Sequence, residues 1–348
     1  MLYIRTDMND KIATGHIMRC LSIANAVREY GEETIFILAD EQAVEILKMQ
    51  QYEYIVLHTK WDQMDSELSI LKQEIKKRNI KQILIDTYQV TENYLKSLSE
   101  VVRTIYIDDL NAFYYPVDSI ICYANYWEKF QYKEKYLDKI LFLGTQYVPL
   151  KKEFSDCTAK KVKQEVENLL LLSGGTDPYD ILDRLLQKIK KEQYKRIDVI
   201  CGVYYMKYEM MREKYFVYQN VYIHSFVTNM KECMDLADLV ITAGGTTLYE
   251  LCAVGTPAIS YSIADNQLEN VKKFQEDGII DYAGDVRTDD VIEQIDSYLN
   301  QYYGNQLLRQ ERSLKMQKLV DGKGSKRIAE GLKNIELKNK ERKICKSI

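Results

Sequence analysis

The sequence lacks several features that would assign it to a familiar class. It has seven cysteines in 348 residues but no Cys-x-x-Cys pair, which argues against a disulfide framework and a zinc site. No apolar run approaches the roughly 20 residues that a membrane-spanning helix needs. The net charge is only −4, so we expect no nucleic-acid-binding surface over the whole chain. These absences favour a globular protein of the reducing cytoplasm, with no metal and no membrane span.

The chain instead alternates short apolar runs with amphipathic helical segments. Its length favours two domains, and the N-terminal Met1–Asp7 indicates a strand rather than a signal peptide. Such alternation predicts α/β domains with parallel, doubly wound sheets. The predicted strands are 2–4, 34–38, 55–57, 82–85, 104–107, 120–122, 140–143, 168–172, 196–201, 221–224, 239–242 and 257–261. We place an N-terminal domain at 1–150, a C-terminal domain at 151–325, and a C-terminal helix with a basic tail at 326–348.

Two glycine pairs in the C-terminal half each follow a predicted strand. The motifs are Ser173-Gly174-Gly175-Thr176 and Gly244-Gly245-Thr246-Thr247, the second with Glu250 one turn into its helix. Glycine lets backbone approach an oxyanion, and a helix start offers unpaired N–H groups and a positive dipole end. These features predict a pyrophosphate site, in which Glu250 accepts hydrogen bonds from the ribose hydroxyls. Alternatively, each glycine pair could simply permit tight packing between strand and helix. Asn266 and Gln267 add polar groups to this predicted nucleotide site.

The first half carries a histidine at a glycine turn. His16 follows Gly15 at the predicted start of a helix, and Arg19 lies three residues on, along a neighbouring helix face. A helix N-terminus favours neutral imidazole, which suits a general base. The alternative is that His16 only caps the helix or binds phosphate. A second histidine, His224, ends a predicted strand, and a place in the nucleotide-base pocket and a structural role are both open.

Polar side chains follow three further strands of this half. Asp86 and Tyr88 offer a carboxylate and a phenol at one strand end, and Asp108-Asp109 offers two carboxylates at the next. Asn125 follows the strand after that. An acid pair suggests a metal site, but no third acid or histidine lies nearby in sequence, which favours a structural or substrate-orienting role.

These motifs resemble the hydrolase family that removes UDP from UDP-2,4-diacetamido-2,4,6-trideoxy-β-L-altropyranose in pseudaminic acid synthesis, together with related spore-coat polysaccharide proteins. The resemblance covers nearly the whole chain. It rests on Ile4-Arg5-Thr6-Asp7, Gly15-His16-Ile17-Met18-Arg19-Cys20, Asp86-Thr87-Tyr88, Asp108-Asp109, Gly174-Gly175-Thr176-Asp177, Gly244-Gly245-Thr246-Thr247-Leu248-Tyr249-Glu250, Asn266-Gln267 and Asp321-Gly322-Lys323-Gly324. The last glycine-pair motif is shared with GT-B glycosyltransferases at large, so it indicates fold more than reaction.

The resemblance implies an α/β GT-B fold, with two Rossmann-like domains facing a cleft and UDP held mainly by the C-terminal one. It implies metal-independent hydrolysis without a cofactor, in which His16 deprotonates a water that attacks the anomeric carbon with inversion. Asp86 and Tyr88 would act beside it, and Asn125 and Asn266 would help to orient the sugar or the water. The expected ligand is a UDP-sugar, and the expected state is a monomer or weak dimer.

The chain departs from the family pattern at two positions. Ala13 stands where the family usually has glycine, and Lys151 where it tends to have arginine, so that a predicted substrate contact lacks the planar guanidinium. Two other functions stay open. In a GT-B glycosyltransferase an acceptor hydroxyl would replace water at His16, and a non-catalytic protein would only bind the nucleotide sugar.

Overall fold

The computed structural model describes residues 1–9, 11–175, 177–202, 205–225 and 227–344. The chain divides into two compact units. The first comprises Met1–Lys152 and the chain from Lys323 onward, and the second comprises Glu153–Gly322. The sequence analysis had placed the two limits at residues 150 and 325, and it had not assigned the C-terminal helix to either domain.

The first unit contains a seven-stranded parallel sheet with the strand order β3-β2-β1-β4-β5-β6-β7. Its strands are β1 Leu2–Thr6, β2 Thr34–Leu38, β3 Glu53–Val56, β4 Gln82–Asp86, β5 Arg103–Ile107, β6 Ser119–Cys122 and β7 Ile140–Leu143. Its helices are α1 Gly15–Glu29, α2 Val44–Met49, α3 Met64–Arg78, α4 Glu92–Ser99, α5 Tyr132–Lys135 and α13 Gly324–Ile344. Every residue of β1, β2 and β4 is buried, as a parallel sheet covered on both faces requires.

The C-terminal helix α13 packs against α1 in this first unit. Polar contacts at its start attach it to the end of the unit's N-terminal segment. The Ser325 hydroxyl donates to the Leu150 carbonyl at 2.8 Å, and the Arg327 guanidinium donates to the Gln146 carbonyl at 2.9 Å. The chain therefore returns to the first unit after completing the second.

The second unit contains a six-stranded parallel sheet with the order β10-β9-β8-β11-β12-β13. Its strands are β8 Asn168–Leu172, β9 Arg196–Ile200, β10 Val221–His224, β11 Leu239–Ala243, β12 Ala258–Ser262 and β13 Asp281–Asp285. Its helices are α6 Ile181–Lys188, α7 Tyr208–Tyr215, α8 Met230–Leu236, α9 Thr247–Val254, α10 Asp265–Glu276, α11 Val291–Tyr303 and α12 Gln306–Leu319. A core of aliphatic and tyrosine side chains lies along one face of this sheet.

Both sheets share one connectivity, which fixes where their sites lie. Each begins at a central strand, adds two strands on one side, and then crosses over to the other side. The strand order reverses between β1 and β4 in the first unit, and between β8 and β11 in the second. Ligands of doubly wound folds bind at the carboxyl ends of the strands beside this reversal. The prediction of two Rossmann-like α/β domains is confirmed.

Three labelled elements were missing from the sequence prediction: the four-residue helix α5, strand β13 and helix α7. The last two belong to the second unit. Strand β13 has the sequence Asp-Tyr-Ala-Gly-Asp, whose polar residues and glycine hide its strand character. Helix α7 spans only eight residues and lacks a side-chain cap at Lys207. Both lie toward the edges of the second sheet, where partial exposure weakens the apolar signal.

Candidate functional site

In the first unit, the candidate site lies where β1 and β4 end. The loop after β1 leads into α1 at Gly15, and β4 ends at Asp86. The side chain of Asn9 organises this loop, because its Oδ1 accepts hydrogen bonds from the N–H groups of Lys11 and Ile12 at 2.9 and 3.0 Å. The loop brings His16 to Asp86, which is 70 residues away in sequence.

The turn before the histidine contains a residue in the left-handed region. Ala13 has φ of +54°, a conformation that glycine adopts freely and that alanine adopts at a cost of about 1 kcal/mol. This is the position at which the chain departs from the glycine usual in the family it resembles. The structure therefore keeps the backbone shape that glycine favours, although the residue is alanine.

His16 and Asp86 form the central pair of the site. Nδ1 of His16 lies 2.8 Å from Oδ1 of Asp86, and their side chains are 8% and 0% exposed. An ionised carboxylate can only accept a hydrogen bond, so Nδ1 carries the proton that it donates to Asp86. In the neutral imidazole Nε2 then holds the lone pair. Among the described residues no group hydrogen-bonds to Nε2, which leaves it available as a proton acceptor.

Arg19, which lies in α1 with His16, hydrogen-bonds to Asp86. Its Nε donates to Oδ2 of Asp86 at 2.6 Å, its Nη2 donates to Oδ1, and its Nη1 donates to the Tyr123 hydroxyl at 2.6 Å. Burial alone would raise the pKa of the Asp86 carboxyl, but the Arg19 charge and then His16 outweigh burial and hold that pKa well below its usual range. Cys20 also donates to Asp86, at 3.3 Å. Asp86 is therefore a carboxylate at neutral pH. The Arg19 side chain is turned inward, and the predicted contact of Arg19 with substrate stays a prediction.

Tyr88 and Asp109 extend the site. The Tyr88 hydroxyl lies 2.9 Å from Oδ2 of Asp109, and the Tyr88 ring meets the His16 ring edge-on, with centroids 4.8 Å apart. Asp109 also lies 3.7 Å from Arg19 Nη1. Asn125 lies just after β6 and is partly buried, and Lys151 is the last residue but one of the unit's N-terminal segment.

Asp108, next to Asp109, stabilises the loop that follows it. Its carboxylate accepts hydrogen bonds from the N–H groups of Leu110 and Asn111 and from the hydroxyls of Tyr115 and Tyr132. Burial raises the pKa of Asp108, and these donors partly offset the rise. Asp108 therefore stabilises its own loop, whereas Asp109 belongs to the candidate site. Within the described residues, no three His, Cys, Asp or Glu side chains are grouped so as to hold a metal ion.

A second buried cluster supports the end of β1. The fully buried Arg5 donates to both Glu67 oxygens at 2.8 Å and to Asp7 at 2.5 Å. Asp7 accepts the Ala39 N–H at 2.8 Å, and Glu67 accepts the Tyr94 hydroxyl at 2.7 Å. These contacts join β1 to the end of β2 and to α3 and α4. The Arg5 and Asp7 of the resemblance motif are therefore structural here.

In the second unit, the first glycine pair forms a turn after β8. Gly174 has φ of +80°. The chain after β9 packs closely against this turn, since a Cβ on Gly202 would lie 2.2 Å from the Gly175 carbonyl oxygen. Asp177 accepts the N–H groups of Ile181 and Leu182 at 2.9 Å and so caps α6. Thr176, which the sequence placed in the nucleotide site, lies outside the described residues.

The second glycine pair follows β11, the other strand at the reversal. A Cβ on Gly244 would lie 2.3 Å from Val271 of α10, so Gly244 permits tight packing of that helix. Gly245 has open space around it, Thr246 is exposed, and Thr247 begins α9. Glu250 lies one turn into α9 and is partly exposed. The packing role that the sequence left open holds for Gly244, while Gly245, Thr246 and Thr247 line an accessible helix N-terminus.

Asn266 and Gln267 lie in the first turn of α10. Oε1 of Gln267 accepts the N–H of Ile263 at 2.9 Å, so this side chain caps its own helix. Asn266 is exposed. The helix start also carries Asp265, which pairs with Arg287 at 2.7 Å. The structure thus leaves Asn266 accessible for a ligand and gives Gln267 a local structural contact.

The histidine of the second unit has its own aspartate and arginine. Nε2 of His224 lies 2.7 Å from Oδ1 of Asp198, and Arg196 contacts both Asp198 oxygens at 2.6 and 2.9 Å. The Tyr222 ring lies beneath the Arg196 guanidinium, 4.1 Å away. These residues lie on one face of the neighbouring strands β9 and β10, away from the strand reversal. Arg196 and Asp198 lie within β9, and His224 is the last residue of the edge strand β10. They join an edge strand to the sheet, which supports the structural role for His224.

Sequence and structure comparisons describe what the chain is similar to. A family model for the glycosyltransferase family 28 C-terminal domain matches residues 169–330. An uncharacterized protein of Methanocaldococcus jannaschii is 25% identical over 74% of this chain and 54% of its own length. The spore coat polysaccharide biosynthesis protein SpsG of Bacillus subtilis is 22% identical over 92% of this chain and 94% of its own.

A third relative is a transferase. The UDP-N-acetylglucosamine--N-acetylmuramyl-(pentapeptide) pyrophosphoryl-undecaprenol N-acetylglucosamine transferase of Helicobacter pylori is 32% identical over 41% of this chain and 42% of its own length. The chain thus spans about half the length of several curated relatives that it matches. Among solved structures, Acinetobacter baumannii MurG superposes with a TM-score of 0.67 at 12% identity, over 96% of this chain and 99% of that one. The chain has the GT-B fold. In its described part, no helix combines the length and apolarity needed to cross a membrane.

Proposed function

We propose that the protein hydrolyses a UDP-sugar and releases UDP. The proposed substrate is UDP-2,4-diacetamido-2,4,6-trideoxy-β-L-altropyranose or a related UDP-sugar of pseudaminic or other nonulosonic acid biosynthesis. The observation that carries the proposal is the contact of 2.8 Å between His16 Nδ1 and Asp86 Oδ1 at the strand reversal of the first unit. Similarity over 92% of the chain to a spore coat polysaccharide biosynthesis protein supports a role in polysaccharide biosynthesis.

The pair has the properties of a general base. Nε2 of His16 takes a proton from water as the water oxygen attacks the anomeric carbon, and the imidazolium that forms is stabilised by the Asp86 carboxylate. Arg19 keeps Asp86 ionised and fixed in orientation, since it contacts both carboxylate oxygens. The bond between the anomeric carbon and the phosphate oxygen breaks, the configuration inverts, and UDP leaves.

The second unit supplies the proposed UDP site. Beside the open Gly245, Thr246 and Thr247 place backbone N–H groups and the positive end of α9 where a pyrophosphate can bind. The same groups stabilise the negative charge that develops on the leaving UDP, without a metal ion. Glu250, within the first turn of α9, accepts hydrogen bonds from the ribose hydroxyls. Gly174 and Gly175 form the neighbouring turn, and Asn266 is an accessible polar side chain at the start of α10.

A glycosyltransferase reaction is the second candidate. The match of residues 169–330 to a glycosyltransferase family and the similarity to an N-acetylglucosamine transferase favour it. In that reaction the base at His16 would deprotonate an acceptor hydroxyl instead of water. The site of the first unit serves both reactions, so the distinction depends on what occupies the position beside Nε2.

The test is direct observation of the products. The purified protein is incubated with EDTA and a panel of UDP-sugars that includes the 2,4-diacetamido-trideoxy sugars, and UDP and free sugar are followed by NMR. We expect free sugar and UDP to appear together without an added acceptor. Binding of a UDP-sugar without release of UDP would contradict hydrolysis and favour a transferase that requires its acceptor.

A further inference from the structure

Tyr88 and Asp109 form a polar pair beside the proposed base. The Tyr88 hydroxyl lies 2.9 Å from Oδ2 of Asp109, and the Tyr88 ring packs edge-on against His16 at 77°. Neither side chain is fully buried. The Tyr88 ring therefore forms part of the immediate surroundings of the proposed base, and its hydroxyl contacts Asp109. Asp109 was recognised from the sequence only as half of an acid pair.

The direction of this hydrogen bond follows from its surroundings. Arg19 Nη1 lies 3.7 Å from the same Asp109 oxygen and supplies a positive charge to the carboxylate. Burial, and then the negative charge of Asp109, raise the pKa of Tyr88 well above its usual value, so the phenol keeps its proton at neutral pH. A carboxylate can only accept, so the proton of Tyr88 points at Asp109.

A phenol has one proton, and here that proton is committed. The Tyr88 oxygen consequently presents only lone pairs to any other neighbour. We propose that Asp109 is a positioning residue that makes Tyr88 a pure hydrogen-bond acceptor, and that the site thereby selects a sugar carrying an N–H or O–H donor beside the reacting carbon. This inference rests on the proposed function, because it assumes that the sugar of a nucleotide sugar occupies the first unit.

The consequence is a specific pattern of selectivity. An acylamino or hydroxyl group at the contact position can donate to Tyr88, whereas a deoxy position or an ether cannot. Loss of one such hydrogen bond reduces affinity by about tenfold, and the loss is larger where the acceptor is left buried and unpaired. Any ring position that carries a donor satisfies this geometry.

The test compares two replacements of similar shape at Asp109. Asp109→Asn keeps a carbonyl oxygen, which should turn toward its two donor neighbours, Arg19 and Tyr88. Asp109→Leu fills the same space without an acceptor, which frees the Tyr88 proton. Tyr88→Phe removes the acceptor directly and serves if Asp109→Leu does not fold. Folding of each variant is checked by circular dichroism.

Affinities are measured by competition with UDP-N-acetylglucosamine, the 2,4-diacetamido-2,4,6-trideoxy UDP-sugar, and analogues in which one hydroxyl group is converted to a methyl ether, which can accept but not donate a hydrogen bond. We expect the wild type and Asp109→Asn to bind one such analogue about tenfold more weakly than its parent. Asp109→Leu and Tyr88→Phe should bind the two alike, because the freed Tyr88 proton can donate to the ether oxygen and phenylalanine bonds to neither group. Their affinity for UDP itself should be unchanged. A packing role for Asp109 would instead leave Asp109→Leu as selective as Asp109→Asn.

Two negative results are distinguishable. If the sugar contributes nothing to affinity beyond that of UDP in the wild type, both the proposed function and this inference are wrong. If the sugar contributes and Asp109→Leu or Tyr88→Phe still discriminates as the wild type does, the inference alone is overturned and the proposed function stands.

Discussion

Each unit of this protein contains a histidine whose ring contacts an aspartate, and an arginine contacts the same aspartate. In the first unit the three residues are His16, Asp86 and Arg19, and their side chains are 8%, 0% and 8% exposed. In the second unit His224, Asp198 and Arg196 are 30%, 20% and 44% exposed. The chemical groups are the same, but their placement in the fold differs.

Placement decides what each cluster can do. His16 lies at the start of α1 and Asp86 at the end of β4, beside the strand reversal where doubly wound folds bind ligands. Arg196 and Asp198 lie within β9, and His224 ends the neighbouring edge strand β10, away from the strand reversal of the second sheet. The ring nitrogens differ too, because His224 uses Nε2 for its aspartate whereas His16 uses Nδ1 and keeps Nε2 available. We therefore propose a catalytic role for the first cluster and strand attachment for the second.

Replacing the two histidines should separate the clusters most strongly. His16→Ala removes the proposed base, so we expect the rate of UDP release to fall by about 10²–10⁴. His224→Ala should leave this rate within about twofold, because the residue lies outside the proposed reaction. The measurement is kcat for both variants with the substrate identified by NMR. Equal losses in the two variants would contradict the assignment.

Neutralising the two aspartates should separate the clusters by stability. Asp86→Asn leaves the buried Arg19 without its carboxylate, and breaking such a buried pair costs about 3–5 kcal/mol. Asp198→Asn acts on a partly exposed pair, for which we expect about 1 kcal/mol or less. Urea unfolding followed by circular dichroism gives both values. A cost at Asp198 that equals the cost at Asp86 would show that burial does not distinguish the clusters.

Lowering the pH should remove the stabilising contribution of Asp198 before that of Asp86. Arg19 and His16 hold the pKa of Asp86 far below its usual value, and His224 and Arg196 lower the pKa of Asp198 to a smaller extent; in both cases burial opposes the shift. Each carboxylate stabilises the fold fully above its unfolded-state pKa of about 4, and this contribution disappears as pH falls through the folded-state pKa.

The expected result is measured as the difference in unfolding free energy between the wild type and each aspartate-to-asparagine variant. The difference for Asp198→Asn should vanish first on acidification, and the difference for Asp86→Asn should persist to lower pH. The opposite order would contradict the stronger hold that Arg19 has on Asp86.

The smallest expected effect concerns the turn that delivers His16. Ala13 is in the left-handed region, whereas His224 is delivered by a regular strand. Ala13→Gly relieves the strain but increases the entropy of the unfolded chain, so we expect a net stabilisation of less than about 1 kcal/mol. Thermal unfolding measures it. A clear loss of stability would indicate that the alanine methyl group makes a contact that outweighs the strain.

The fold was largely predictable from the sequence because continuous apolar runs mark buried parallel strands. Strands 34–38, 140–143, 168–172 and 221–224 were predicted with the limits that the structure has. Strand β13 was missed, since Asp281–Asp285 has a glycine and two acids and lies at a sheet edge. An edge strand needs less apolar surface, so its pattern is weak.

The candidate site was predictable only in part. Strand ends bring His16 and Asp86 to one edge of the sheet, and the sequence analysis named both. It did not foresee that Tyr123 contacts Arg19, or that Gln267 caps its own helix, because such contacts depend on side-chain direction and on residues up to 104 positions apart. Gly-Gly motifs also look alike in sequence, although the structure gives Gly244 a packing role and leaves Gly245 accessible.

The central claim is that His16 activates water against the anomeric carbon. The most direct measurement is turnover of the identified UDP-sugar in water labelled with ¹⁸O, in the presence of EDTA, with mass spectrometry of both products. We expect one ¹⁸O atom in the free sugar and none in UDP. Label in the phosphate of UDP, or UDP release that requires an added acceptor and leaves the sugar unlabelled, would contradict it.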